Sequence, residues 1–99
     1  MLNIDKNVDG SKLVIKLEGR LDTTTAPQLE EELNGSLSGV KDLEFDLEKL
    51  EYISSAGLRV LLSAQKTMNN QGSMVVKNSI EEIKEIFDVT GFSDILTIE

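Results

Sequence analysis

The apolar residues change their spacing in the middle of this chain. Leu43, Phe45 and Leu47 alternate with Glu44 and Asp46, the period of a half-buried strand, and Leu50 and Ile53 follow. Beyond Ser54-Ser55-Ala56-Gly57, the residues Leu58, Leu61, Leu62, Gln65 and Met68 recur every three or four positions. That is the period of a helix packed on a sheet. A strand therefore runs into a helix with serine at the junction. Such a junction presents backbone N–H groups and the positive end of a helix dipole. Ala56 and Gly57 are small, and the expectation is that they leave the junction uncovered, so that another chain can approach closely.

The same alternation of periods recurs on both sides. Leu2, Ile4 and Val8 outline an edge strand, and Asp9-Gly10 is a hairpin signal. Leu13, Ile15 and Leu17 alternate with Lys12, Lys16 and Glu18 in an antiparallel partner, which Val14 interrupts and Gly19 is expected to end. A polar loop is predicted from Arg20 to Thr25. Thr25-Ala26-Pro27-Gln28 has the pattern of a capping box, and a proline is tolerated in a first turn. Ala26, Leu29 and Leu33 then share a helical face, with Glu30, Glu31 and Glu32 on a solvated side. Asn34-Gly35 and Ser38-Gly39 weaken that helix without fixing its last residue. The third strand is predicted over 43–47 and the second helix over 56–69, stopped by Asn69-Asn70-Gln71-Gly72. Met74-Val75-Val76 is apolar on both faces and predicts a central strand. Ser79-Ile80-Glu81-Glu82 is a second capping-box pattern. Ile80, Ile83, Ile86 and Phe87 form the apolar face of a third helix ended by Gly91. Ile95 to Ile98 reads as a short strand or a packed tail. The order β-β-α-β-α-β-α, with half-polar strands, predicts an α/β fold. Its sheet is mixed, with four or five strands and helices packed mainly on one face.

Length and composition narrow the chemistry. Ninety-nine residues are expected to form one domain, 1–99, with one core. The chain has neither cysteine nor histidine, which excludes disulfides, zinc sites built on those residues and a Ser-His-Asp triad. A nucleophile elbow is also excluded, because Ile53 stands where G-x-S-x-G requires its first glycine. There is no G-x-x-x-x-G-K-[ST] phosphate loop. Asp22, Asp46 and Glu48 are the candidates for an acid pair or a magnesium site, but nothing in their spacing fixes their separation. The expectation is a protein that is not an enzyme and holds no metal or other cofactor. A net charge of −8 disfavours nucleic acid and suits solubility or a basic partner. No apolar run reaches the ~20 residues of a membrane span. Met1 to Asp5 lacks the basic-then-apolar order of a signal peptide, so the expected location is cytoplasmic.

On physical grounds Ser55 reads as an N-cap of the second helix. The segment Tyr52-Ile53-Ser54-Ser55-Ala56-Gly57-Leu58-Arg59-Val60-Leu61-Leu62 resembles the signature of the STAS domain, the family of bacterial anti-sigma factor antagonists. Gly19-Arg20-Leu21-Asp22 with Thr24-Thr25-Ala26, Phe45-Asp46-Leu47, and Ile86 to Phe92 resemble further family segments in the same order. The resemblance implies a switch in a partner-switching pathway. The antagonist binds an anti-sigma factor that is also a serine kinase, which releases a sigma factor and so regulates transcription. The kinase phosphorylates the antagonist, and a serine phosphatase resets it. Alignment on Gly57-Leu58 puts the phosphoacceptor at Ser55. One common form of the family has Asp before the acceptor and Ser after it. This chain has Ser54 and Ala56 there, so Ser54 is the alternative acceptor. The implied partner surface comprises Asp22, Thr23, Thr24, Ser54, Ser55, Ala56, Gly57, Leu58 and Arg59. A STAS interaction module of another signalling or transport system is the alternative function.

Overall fold

Alternating apolar side chains need one covered face, and the covering comes from the helices. In a computed structural model, which describes residues 2–99, the elements follow the order β1 (Leu2–Asp9), β2 (Lys12–Leu21), α1 (Ala26–Ser36), β3 (Asp42–Ile53), α2 (Ser55–Asn69), β4 (Ser73–Lys77) and α3 (Glu81–Thr90). A turn of 3-10 helix, Phe92–Asp94, follows. Met1, part of the expected domain 1–99, lies outside the described residues. The four strands form one mixed sheet in the order β1-β2-β3-β4, with β1 antiparallel to β2 and the other pairs parallel. The expected α/β architecture with a four-stranded mixed sheet is therefore present.

The core lies between one face of this sheet and the helices. Leu13, Ile15, Leu17, Leu21, Leu43, Phe45, Leu47, Leu50 and Ile53 point into it from β2 and β3. Leu29, Leu33, Leu61, Met68, Ile83 and Phe87 meet them from the helices. The other face stays open and is laid out in charge. Asp5, Lys16, Asp46 and Lys77 occupy one cross-strand row, so neighbouring strands present opposite signs.

Several boundaries differ from the sequence reading. The Asp9-Gly10 signal sits at the hairpin, but the two-residue loop is Gly10-Ser11, with Gly10 at φ 63° and Asp9 paired with Lys12. Gly19 does not end β2. Its φ of 104° is one that glycine adopts without steric cost, and the strand runs through it to Leu21. β3 extends six residues beyond Leu47, because it carries two one-residue bulges. Lys16 pairs with Asp46 but Glu18 with Lys49, and Gly19 pairs with Leu50 but Arg20 with Tyr52. Each bulge returns the next apolar residue to the core, so Leu47, Leu50 and Ile53 are all buried at a spacing of three.

Met74-Val75-Val76 lies in β4, an edge strand rather than a central one. Its outer side takes Ile98 in an isolated bridge, with Val76 N–H donating to Thr97 O at 2.8 Å and Glu99 N–H donating to Val76 O at 2.8 Å. Met74 and Val76 are apolar because they lie in the core, and the bridge gives the terminal Ile95 to Ile98 run its place beside β4. Neither capping box forms. Thr25 flanks α1 without a side-chain cap, and the Gln28 amide donates to Leu2 O at 3.3 Å instead. α3 is capped by Ile80, so Ser79 stands one residue too early, with its hydroxyl buried and unpaired among the described residues.

Candidate functional site

The chain leaves β2 and β3 at the same end of the sheet, because the two strands are parallel. Ser54 N–H donates to Leu21 O at 2.8 Å and fastens the two strand ends together. The loop after β2 and the start of α2 therefore emerge side by side.

That loop is built by Asp22 and Thr25. Asp22 Oδ1 accepts from the Thr24 hydroxyl at 2.7 Å, from Thr24 N–H at 3.0 Å and from Thr25 N–H at 3.2 Å. An acidic side chain that accepts from the backbone two and three residues on is the device that closes a turn. The Thr24 hydroxyl, with those N–H groups, holds the Asp22 carboxyl below its ordinary value. Thr25, which is buried, bonds in both directions. Its Oγ1 donates to Arg20 O at 2.8 Å and accepts from Asp22 N–H at 2.8 Å. The hydroxyl expected to cap α1 thus ties the loop back to β2.

At α2 the two serines divide their roles. Ser54, with extended backbone, is the N-cap, and its Oγ accepts from Gly57 N–H at 3.4 Å. Ser55 is the first helical residue. Its side chain is exposed and makes no hydrogen bond among the described residues. The N-cap reading of Ser55 is therefore corrected: the cap belongs to Ser54.

The residues expected to face a partner separate into two groups. Thr23, Ala56 and Arg59 line a shallow cleft of about 210 Å³ between the starts of α1 and α2, together with Ala26, Pro27, Glu30 and Val60. Thr24, Ser55 and Arg59 are exposed, and Asp22, Ser54 and Ala56 are half-buried. Gly57 and Leu58 turn inward and are buried. A Cβ at Gly57 would sit 2.7 Å from Leu21 Cγ and 2.9 Å from Ile53 Cγ1. The glycine thus lets α2 lie close on its own sheet, and it does not leave the outer surface bare. The expectation that Gly57 and Leu58 present themselves to another chain is corrected on that ground.

One pairing in this neighbourhood, Arg20 with Tyr52, escaped the sequence reading. Arg20 Cζ stands 4.4 Å from the centroid of the Tyr52 ring, and Arg20 Nε lies 3.9 Å from Asp22 Oδ2. Arg20 and Tyr52 are cross-strand partners only because of the bulges in β3, so no local spacing announces the pair. Asp46 and Glu48 lie on the open sheet face and line a separate shallow depression there. Among the described residues no group of three or more acidic side chains is placed to hold a metal ion. No helix among them is long and apolar enough to cross a membrane.

The family model of the STAS domain matches residues 3–99. BtrV of Bordetella bronchiseptica, described as an anti-sigma factor antagonist, is 37% identical over 99 residues, covering 98% of this chain and 84% of that protein. An anti-sigma factor antagonist from Mycobacterium paratuberculosis superimposes with a TM-score of 0.90 at 19% identity, covering 99% of this chain and 85% of that one. The Bacillus cell fate determinant SpoIIAA, solved in its phosphorylated form, superimposes with a TM-score of 0.75 at 18% identity, covering 100% and 91%.

Proposed function

This chain belongs to the STAS domain family, and from that premise we propose that it is an anti-sigma factor antagonist controlled by phosphorylation at Ser55. It is an interaction module and not an enzyme, and it works in the cytoplasm. Unmodified, it binds an anti-sigma factor that is also a serine kinase, and a sigma factor is released to direct transcription. The kinase then transfers the γ-phosphoryl group of ATP to Ser55 Oγ. The Oγ–P bond forms, the bond to ADP breaks, and the hydroxyl proton leaves to a base on the kinase. A serine phosphatase hydrolyses the phosphoserine and restores the binding form.

The observation that carries this reading is the unequal use of the two serines. Ser54 Oγ is engaged with Gly57 N–H, whereas Ser55 Oγ is exposed and unengaged. A phosphate on Ser55 therefore leaves the Ser54 cap untouched. The start of α2 carries no acidic side chain, so N–H groups and the helix dipole meet the new anion without a repulsive neighbour on that turn. The fold can hold the phosphate. A partner surface cannot cover nearly two added negative charges without desolvating them. The partner surface comprises the Asp22–Thr24 turn and the exposed edge of α2 at Ser55, Ala56 and Arg59.

Gel filtration of the chain with the anti-sigma kinase encoded near it tests the binding, and mass-spectrometric mapping after incubation with ATP tests the site. A complex without ATP, and label on Ser55 with loss of the complex after ATP, are the expected results. Label confined to Ser54 would reject the residue. Absence of both complex and label would turn the assignment to a STAS module of another system.

A further inference from the structure

Ser55 and Arg59 are four residues apart on α2, which places their side chains on one face, one turn from each other, with about 6 Å between Cβ atoms. Both are exposed. Arg59 makes no ion pair among the described residues, although Glu30 lines the same cleft. The nearby Asp22 is already engaged, with Oδ1 on Thr24 and Thr25 and Oδ2 toward Arg20. Arg59 is thus an unspent guanidinium one turn beyond an unspent hydroxyl. The order also matters. An anion placed four residues before a cation on a helix is the more favourable arrangement of such a pair.

We propose that Arg59 is the internal receptor for a phosphate on Ser55. In the unmodified protein this guanidinium is offered to an acidic group of the partner. On phosphorylation it turns back along α2 and pairs with the phosphate through charge-assisted hydrogen bonds. The switch then removes a cation from the partner surface as well as adding charge to it. This rests on Ser55 being the acceptor, and its first test does not need the kinase.

The full chain is made with phosphoserine installed at position 55 during synthesis, with Arg59 and as Arg59→Gln, and the phosphate is titrated by phosphorus NMR. The start of α2 is the same in both, as are the other charged or titratable groups nearby: Glu30 on α1, Arg20 and Asp22 from β2 and its loop, and Glu51 and Tyr52 at the end of β3. The difference therefore reports the arginine. The second phosphate pKa is expected about 0.5 lower with Arg59, the size of shift an exposed ion pair gives. It should shrink in 1 M salt, and Arg59→Lys should keep part of it. The Arg59 Nε–H signal should become protected from exchange only in the phosphorylated chain. Equal pKa values, or an unchanged Nε–H signal, would overturn the pairing. In the unmodified protein, Arg59→Gln should weaken binding about tenfold to the anti-sigma factor that co-elutes with the wild type. Unchanged affinity would overturn the partner half. Failure of the kinase to label Ser55 would instead overturn the functional reading, with the titration result unaffected.

Discussion

At Gly57 the backbone of α2 rests on the side chains of Leu21 and Ile53, the two residues that end β2 and β3. A methyl group there must displace them, and valine must displace more. Gly57→Val is expected to lower stability by about 1–3 kcal/mol, the cost of overpacking a filled core, read as a lower urea midpoint. An unchanged midpoint would mean that α2 can lift away at no cost. Thr25 is a second residue with a cost out of proportion to its size. Thr25→Val deletes the acceptor of Asp22 N–H and the donor to Arg20 O in a buried position, and should cost about 1–3 kcal/mol. Ser54→Ala should cost about 1 kcal/mol through the lost cap, and Ser55→Ala less than that, because Ser55 makes no bond to lose. Asp22 adds a pH dependence with a definite sign. Its folded pKa is depressed, so its contribution is complete above the unfolded carboxylate value and is lost as pH falls through the folded one. Thr24→Val removes the largest cause, and an NMR titration should find the Asp22 pKa raised toward its ordinary value.

Among the elements, β3 does the most to shape the site. Its first half, Asp42 to Asp46, is clamped between β2 and β4, and its second half continues past β4 along β2 alone. The two bulges fall in that second half. They bring Tyr52 opposite Arg20 and deliver Ser54 to the carbonyl of Leu21. The opposite end of the same strand is held by a different close approach. Gly72, before β4, lies against the backbone of Lys41, and a Cβ on it would overlap the Lys41 carbonyl. Ser73 N–H donates to that carbonyl at 2.9 Å. Because the obstacle is backbone rather than a side-chain tip, Gly72→Ala should destabilise by about 3 kcal/mol, the upper end of overpacking costs. Thermal unfolding of Gly72→Ala beside Gly57→Ala checks the ranking. A smaller loss at Gly72 would show that the start of β4 can shift freely.

For the whole molecule, the proposed phosphoacceptor stands where an added charge need not disturb the packing. The core lies between the sheet and the helices, and Ser55 lies outside it at the rim. Phosphorylation is therefore expected to leave the Cα radius of gyration near 12.2 Å and to keep a single cooperative urea transition, while partner binding is lost. Small-angle scattering and denaturation of the phosphorylated chain check this. An expanded or two-step form would mean that the phosphate acts by unfolding α2. Ser55→Asp carries one charge instead of nearly two, so it should reproduce only part of the loss of binding.

The apolar periods by themselves determined the order of elements and the one-sided core, because a side chain's face is set by its own strand or helix. Leu13-Ile15-Leu17, Leu43-Phe45-Leu47 and Leu58-Leu61-Gln65 are buried where their spacing places them. Segments of the site were legible for the same local reason: the turn at Asp22 and the strand-to-helix junction at Ser54-Ser55 are written in adjacent residues. What depended on neighbours distant in sequence was not. The length of β3 past Leu47 rests on bulges that exist only against β2, and the edge position of β4 rests on its pairing with β3 alone among the strands. The inward facing of Gly57 follows from how closely α2 packs on Leu21 and Ile53. The cap falling on Ser54 rather than Ser55 follows from a bond between two strand ends more than thirty positions apart, Ser54 N–H to Leu21 O. That bond fixes the register of the junction, and with it which serine is tied down and which is free.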